Sequence, residues 1–238
     1  MNRDIRALDK ALECLFQEKG FPGIAVTIRG PEGVLFEKGY GMRDIENQLP
    51  ADENTIFGIA SMMSGIDESF DAAMYIGYHS PAFTNTSPLA HTTNFSRYNY
   101  IKINDHIASE FTINSLWADM CHVPSIYLSG DEGICTRATE EYPDIVTTAV
   151  KKGIGAGTWN LHPAAAIRQI KADVTQALSH PHPLRQMNEH YVLEIQYKSH
   201  MDACNASWYP GVTQLDAHTI RFESNHFYDV RVAMSFIG

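Results

Sequence analysis

What constrains this chain most is an alternation of segment types that begins near residue 71 and runs to its end. Residues 72–78 form an unbroken apolar run, the pattern of a strand buried on both faces. Residues 98–103 read as a second strand, ended by Asn104-Asp105. The spacing of Phe111, Ile113, Leu116, Trp117 and Met120 predicts a helix over 110–121 with those side chains in the core. A short strand over 125–128 runs into Ser129-Gly130-Asp131; a helix over 132–141 then leads to a strand over 145–150. Residues 163–179 predict a further helix, ended near Pro181 and Pro183. Residues 191–197 alternate as a half-buried strand, 219–222 form another, and 225–236 a closing helix. Strands interleaved with helices in this way imply an α/β fold, a mixed, partly parallel sheet flanked by helices.

The first 62 residues follow a different plan. Ile5, Leu8, Leu12, Leu15 and Phe16 have helical spacing over 3–19, and Gly20-Phe21-Pro22-Gly23 stops that helix. Strands over 24–28 and 34–36 flank the turn Gly30-Pro31-Glu32-Gly33 and predict an antiparallel hairpin, followed by a polar, loop-like stretch over 39–55. The expected division is therefore an N-terminal segment over 1–62 and an α/β domain over 63–238.

Composition narrows the function classes. Across 238 residues, 44% are hydrophobic and 19% charged, which suits a soluble globular protein with a real core. A formal net charge of -10 with no basic run argues against nucleic acid or an anionic membrane as a partner. No stretch has the apolar length that spans a bilayer. Charges run through the first twenty residues, which therefore lack the uncharged core of a signal peptide. The four cysteines form no CxxC pair and read as reduced thiols, so a cytoplasmic location is expected. Eleven histidines raise the prospect of metal or acid/base chemistry.

Three residues of the main body carry chemistry by type and position. His79 follows the apolar run and opens a polar loop, where a ligand can be held rigidly and still face a cleft. Glu110 opens a predicted helix, where a carboxylate is favoured by the helix dipole and can reach a cation. An imidazole and a carboxylate suit zinc. His91, outside that pair, can serve as acid or base near neutral pH. Two other features are weaker. His180-Pro181-His182 has the look of a metal clip, but its prolines favour an exposed turn, and the glycine-rich run 153–157 lacks the Lys-Ser/Thr of a phosphate loop and reads as a flexible surface loop.

Two resemblances overlay this reading. FPGIAVTIRGPEGVLFEKGYGMRDIENQLPADENTIFGIASM, residues 21–62, resembles the start of the serine β-lactamase and penicillin-binding-protein-like family. That resemblance implies Ser61 as nucleophile, with a lysine three residues later. Here Met62, Met63 and Ser64 follow, and no Tyr-x-Asn or Lys-Thr-Gly segment appears downstream, so Ser61 lacks a base. From about residue 64 the order of motifs is similar to the zinc-dependent D-aminopeptidases. Those motifs are Ile76-Gly77-Tyr78-His79, Leu89-Ala90-His91-Thr92, Tyr100 to Asp105, Ser109 to Asn114, Ser129-Gly130-Asp131, Val146 to Lys151 and Tyr209-Pro210-Gly211. This second resemblance implies that His79 and Glu110 are zinc ligands and His91 the catalytic histidine. It also implies short peptides with an N-terminal D-residue as substrates and a homo-oligomer with enclosed active sites. In that family an Asp-x-Glu pair on the first strand and a further histidine supply other ligands, and they precede the part matched here. Asp44-Ile45-Glu46 has the right letters but lies where the other resemblance holds. Three readings follow: a metal-dependent aminopeptidase, an inactive chimera of two hydrolase families, and, behind these, a serine hydrolase using Ser61; loss of the first strand is expected to expose a sheet edge and change oligomerisation.

Overall fold

The computed structural model describes residues 3–19, 23–30, 33–44, 48–51, 63 and 65–237. The chain divides into two compact units, residues 1–62 and residues 63–238.

The first unit holds α1 (Arg3–Lys19), β1 (Gly23–Gly30), β2 (Gly33–Asp44) and β3 (Leu49–Pro50), the strands forming a sheet in the order β1-β2-β3. β1 and β2 make the expected antiparallel hairpin, with Gly30 opposite Gly33. One expectation is corrected: β2 continues through residues 39–44, where a polar loop was predicted, because Gly39, Tyr40 and Gly41 pair with Ala25, Ile24 and Gly23. Phe36, Lys38 and Tyr40 share one face by the two-residue repeat of a strand. Phe36 and Tyr40 are buried, and Asp9 of α1 accepts hydrogen bonds from Lys38 Nζ at 2.6 Å and Tyr40 Oη at 2.7 Å. The Lys38 ammonium, followed by the Tyr40 hydroxyl, holds the Asp9 carboxyl below its usual range. Ser61, Ile45 and Glu46 lie outside the described residues.

The second unit runs β4 (Ala73–Tyr78), β5 (Tyr98–Ile103), β6 (His106–Ile107), α2 (Glu110–Met120), β7 (Ser125–Asp131), α3 (Glu132–Glu141), β8 (Val146–Ile154) and β9 (Gly157–Asn160). It continues with α4 (Pro163–Ala177), β10 (Tyr191–Tyr197), α5 (His200–Ala206), β11 (Val212–Gln214), β12 (Thr219–Ser224) and α6 (Phe227–Ile237). The strands form two sheets. One has the order β4-β7-β8-β9, with β4, β7 and β8 parallel and β9 antiparallel. The other is antiparallel, in the order β11-β12-β10-β5-β6. The α/β expectation, a mixed and partly parallel sheet flanked by helices, describes this unit.

The predicted alternation of β10 is the clearest pattern to reappear as packing. Tyr191, Leu193, Ile195 and Tyr197 are fully buried against α2, α5 and α6, while Val192, Glu194 and Gln196 between them are half-buried. Complete burial of a side chain the size of leucine contributes about 1.5–3 kcal/mol, so this strand anchors the core. β7 is buried at all seven positions, as a strand with parallel neighbours on both sides requires.

Three other expectations are corrected. Residues 72–78 are not a doubly buried strand: β4 is the edge of its sheet, only Tyr75 is buried, and Ile76 is 61% exposed. The run is apolar on both faces, yet among the described residues it pairs only with β7. The glycine-rich run 153–157, expected as a flexible surface loop, is largely strand and forms the tip of the β8–β9 hairpin, with Ile154 opposite Gly157. In α2, Trp117 and Met120 are half-buried, because the core takes Phe111, Ile113, Leu116 and Ala118 instead, and Trp117 stacks on Tyr228 at 6.0 Å. Among the described residues, no helix is long and apolar enough to cross a membrane.

Candidate metal centre

His79 leaves the C-terminal end of β4, the first parallel strand, where open α/β sheets place their ligands. Glu110 is the first residue of α2. Ser109 caps that helix through its side chain, accepting from Thr112 N at 2.9 Å, while the Thr112 hydroxyl accepts from Ser109 N at 3.1 Å. This capping box fixes where the helix begins, and so where Glu110 points. His91 comes from the loop between β4 and β5.

The fold brings the three together. His79 Nε2 lies 3.6 Å from Glu110 Oε2, and His91 Nε2 lies 4.0 Å from Glu110 Oε1. The imidazoles stack, with centroids 3.9 Å apart and planes inclined by 17°. All three are half-buried, and among the described residues they are the one grouping of three or more histidine, cysteine or carboxylate side chains with donor atoms this close, within 4.8 Å. His180 and His182 join no such grouping, and His182 Nε2 lies 2.8 Å from the Ala177 carbonyl.

Each donor is oriented from behind. His79 Nδ1 lies 3.1 Å from the Ser80 carbonyl and His91 Nδ1 2.6 Å from the Leu89 carbonyl. A carbonyl only accepts, so in each neutral ring the proton sits on Nδ1 and the lone pair on Nε2, the atom facing Glu110. Glu110 Oε1 accepts from Thr93 N at 2.9 Å. Thr93 is held at φ 57°, an unfavourable conformation for a β-branched residue, which aims that N–H at the carboxylate. Hydrogen bonds from behind a donor set are the usual companions of metal-ligating imidazoles.

Sequence reasoning gave no role to the residue that seats the loop. Asp131, fully buried at the end of β7, accepts from Ser80 Oγ at 2.5 Å, Ser80 N at 2.8 Å and Ile134 N at 2.9 Å. One carboxylate thus caps α3 and grips the residue after His79. The Ser80 carbonyl in turn accepts from His91 N at 3.2 Å, so both imidazoles are referred to one peptide unit. Glycines make room for this. A Cβ at residue 130 would stand 2.2 Å from the Tyr78 carbonyl oxygen, and one at residue 133 would stand 2.4 Å from Ser80 Oγ. The buried Thr92 hydroxyl closes the loop's far end, accepting from Ala82 N at 3.1 Å and donating to the Ala108 carbonyl at 2.9 Å. Tyr78, beside the site, accepts from Asn114 Nδ2 at 2.9 Å; burial pushes its phenol up to about 12, so it stays protonated at neutral pH.

The family pattern described as D-aminopeptidase matches residues 47–236, which is most of the chain. The chain belongs to the D-aminopeptidase family. A second pattern, described as β-lactamase, matches residues 6–63 and overlaps the first over 47–63. A D-aminopeptidase of Bacillus subtilis (strain 168) is 28% identical over 178 residues, covering 73% of this chain and 64% of its own length. The solved structure of the Zn-dependent D-aminopeptidase DppA from Bacillus subtilis, described as a self-compartmentalizing protease, superposes with a TM-score of 0.65. Its identity is 26%, over 74% of this chain and 67% of that one. This member of the D-aminopeptidase family therefore spans less than two thirds of the curated relative it matches.

Proposed function

We propose that this chain is a zinc-dependent aminopeptidase acting on short peptides with an N-terminal D-residue, in which His79 and Glu110 hold the metal and His91 moves the proton. The observation that carries this is the convergence of His79, His91 and Glu110 with both Nε2 atoms turned toward the carboxylate. The stacking supports the division of labour. An imidazole binds zinc in its own ring plane at about 2.0–2.1 Å. Two nearly parallel rings 3.9 Å apart cannot both contain one ion in their planes. His79 is nearer to Glu110 and less exposed, so it is the ligand, and the more open His91 is the proton carrier.

Bound zinc would acidify a water and polarise the peptide carbonyl. The protein's part is positional. Thr93 N–H steadies Glu110, and the Ser80 and Leu89 carbonyls keep both imidazoles in the tautomer with Nε2 free. His91 accepts a proton on Nε2 from the attacking water and returns it to the leaving amine. A homo-oligomer is part of this reading, given the relative described as self-compartmentalizing. So is a cytoplasmic location, which the unpaired cysteines suit.

A second reading, a folded chain without turnover, is favoured by the donor count: two ligands for one ion are fewer than the three protein donors of a usual catalytic zinc site. Elemental mass spectrometry of the purified protein, beside His79→Ala and Glu110→Ala, separates the readings when run with an assay of D-alanine release from D-alanyl-D-alanine. Stoichiometric zinc lost in both variants, with turnover, supports the first. Zinc without turnover selects the second, and no zinc in the unaltered protein overturns the metal reading.

A further inference from the structure

Beside His91 lies a hollow of about 750 Å³. Its wall is made chiefly of apolar side chains, with the His91 ring on one side and Lys198 as its one ammonium; among the described residues, no carboxylate lines it. Three of its apolar side chains are strongly exposed: Phe83 at 75%, Phe95 at 70% and Leu89 at 60%. Water-facing apolar groups gathered on one concavity are the mark of a surface that something covers.

The exposure is built rather than incidental. Phe83 sits at φ 64°, a left-handed conformation that is unfavourable for a residue other than glycine. Its ring is held edge-on to Tyr100 with centroids 5.6 Å apart. Phe95 meets the His91 ring edge-on at 6.3 Å, so the apolar surface runs directly into the candidate metal centre. Lys198 Nζ donates to the Phe95 carbonyl and forms no ion pair among the described residues, which leaves its charge available at the rim.

We propose that this hollow receives the bulky apolar side chain of a short peptide whose free C-terminal carboxylate pairs with Lys198. This rests on the peptidase reading for the kind of ligand and goes beyond it in naming the subclass: short, free-acid peptides with an aromatic or large aliphatic first residue. Phe83, Phe95 and Leu89 enclose the side chain beside His91, so the first peptide bond lies next to the imidazole. Lys198 lines the same hollow as His91, and a carboxylate supplies the anion the wall lacks.

Titration calorimetry on the full chain, kept metal-free with a chelator so that nothing is hydrolysed, tests this with three peptides: D-phenylalanyl-D-alanine, its C-terminal amide, and D-alanyl-D-alanine. The aromatic acid is expected to bind about tenfold more tightly than D-alanyl-D-alanine. The advantage is expected to disappear in Phe95→Ala, an exposed position where truncation leaves the core intact. The amide is expected to bind several-fold more weakly than the acid, a gap that Lys198→Met closes. Equal affinity for the two acids, or a preference that survives Phe95→Ala, overturns the proposal. So does a Phe95→Ala variant that changes the mass in solution and not the affinities, since the surface is then a contact between copies. Loss of zinc or of turnover would sink the peptidase reading and leave these affinities as they are; equal affinities would sink the hollow and leave zinc and turnover in place.

Discussion

Ser80 is the smallest part of this protein with the largest reach. Its N–H and hydroxyl go to Asp131, and its carbonyl faces both His79 Nδ1 and the His91 N–H. A buried carboxylate that accepts from three donors has its lone pairs matched, and replacing one oxygen with an NH₂ sets donor against donor. Asp131→Asn is therefore expected to lose about 2–4 kcal/mol in urea denaturation. Its zinc affinity, measured by competition with a chelator, should fall about tenfold or more because His79 loses its seat. Ser80→Ala, which keeps the backbone bond, should cost only about 1 kcal/mol. An Asp131→Asn protein as stable as the original would refute this account of the loop. His79, His91 and Glu110 were nominated by residue type and motif order. Ser129-Gly130-Asp131 stood among those motifs without a role, because a carboxylate at a strand end does not say which loop it grips. Thr93 gave no signal at all: its contribution is a backbone N–H aimed by φ, and every residue except proline has one.

At the scale of elements, β4 shows how an edge changes the meaning of a pattern. A continuous apolar run predicts burial on both faces only when both faces are covered. Here, among the described residues, the strand ends its sheet, with Met74 and Ile76 open to solvent. An exposed apolar edge is a template for another chain. Ile76→Lys is expected to shift the protein toward lower mass in analytical ultracentrifugation, with stability in urea changed by no more than about 0.5 kcal/mol. An unchanged mass distribution would place any self-association elsewhere. The α2 helix carries the converse lesson. Its sequence offers an apolar stripe, but it is enclosed nearly all round, so the polar Thr112, Asn114 and Ser115 are buried as well. Thr112 reaches Glu141, and Asn114 reaches Tyr78, contacts between segments that periodicity does not describe.

For the whole molecule, the division into residues 1–62 and 63–238 makes a direct prediction. Residues 63–238 produced alone should unfold in one cooperative thermal transition and bind the same zinc as the full chain, because both sheets and the candidate centre lie within that stretch. A truncated chain that shows no cooperative transition would mean the first unit is needed to complete the second. What the sequence by itself determined is the α/β class, the order of most elements, and the letters of the candidate site, since these rest on periodicity, helix and turn chemistry and motif order along the chain. Only the tertiary structure decided that β4 is an edge, that residues 39–44 prolong a hairpin, and that one peptide unit orients two histidines against one glutamate. The edge and the site depend on which distant segment supplies a hydrogen-bond partner, and pairing across fifty residues leaves no mark in local spacing; the longer hairpin depends on how far its two strands keep their register, which polar composition does not reveal.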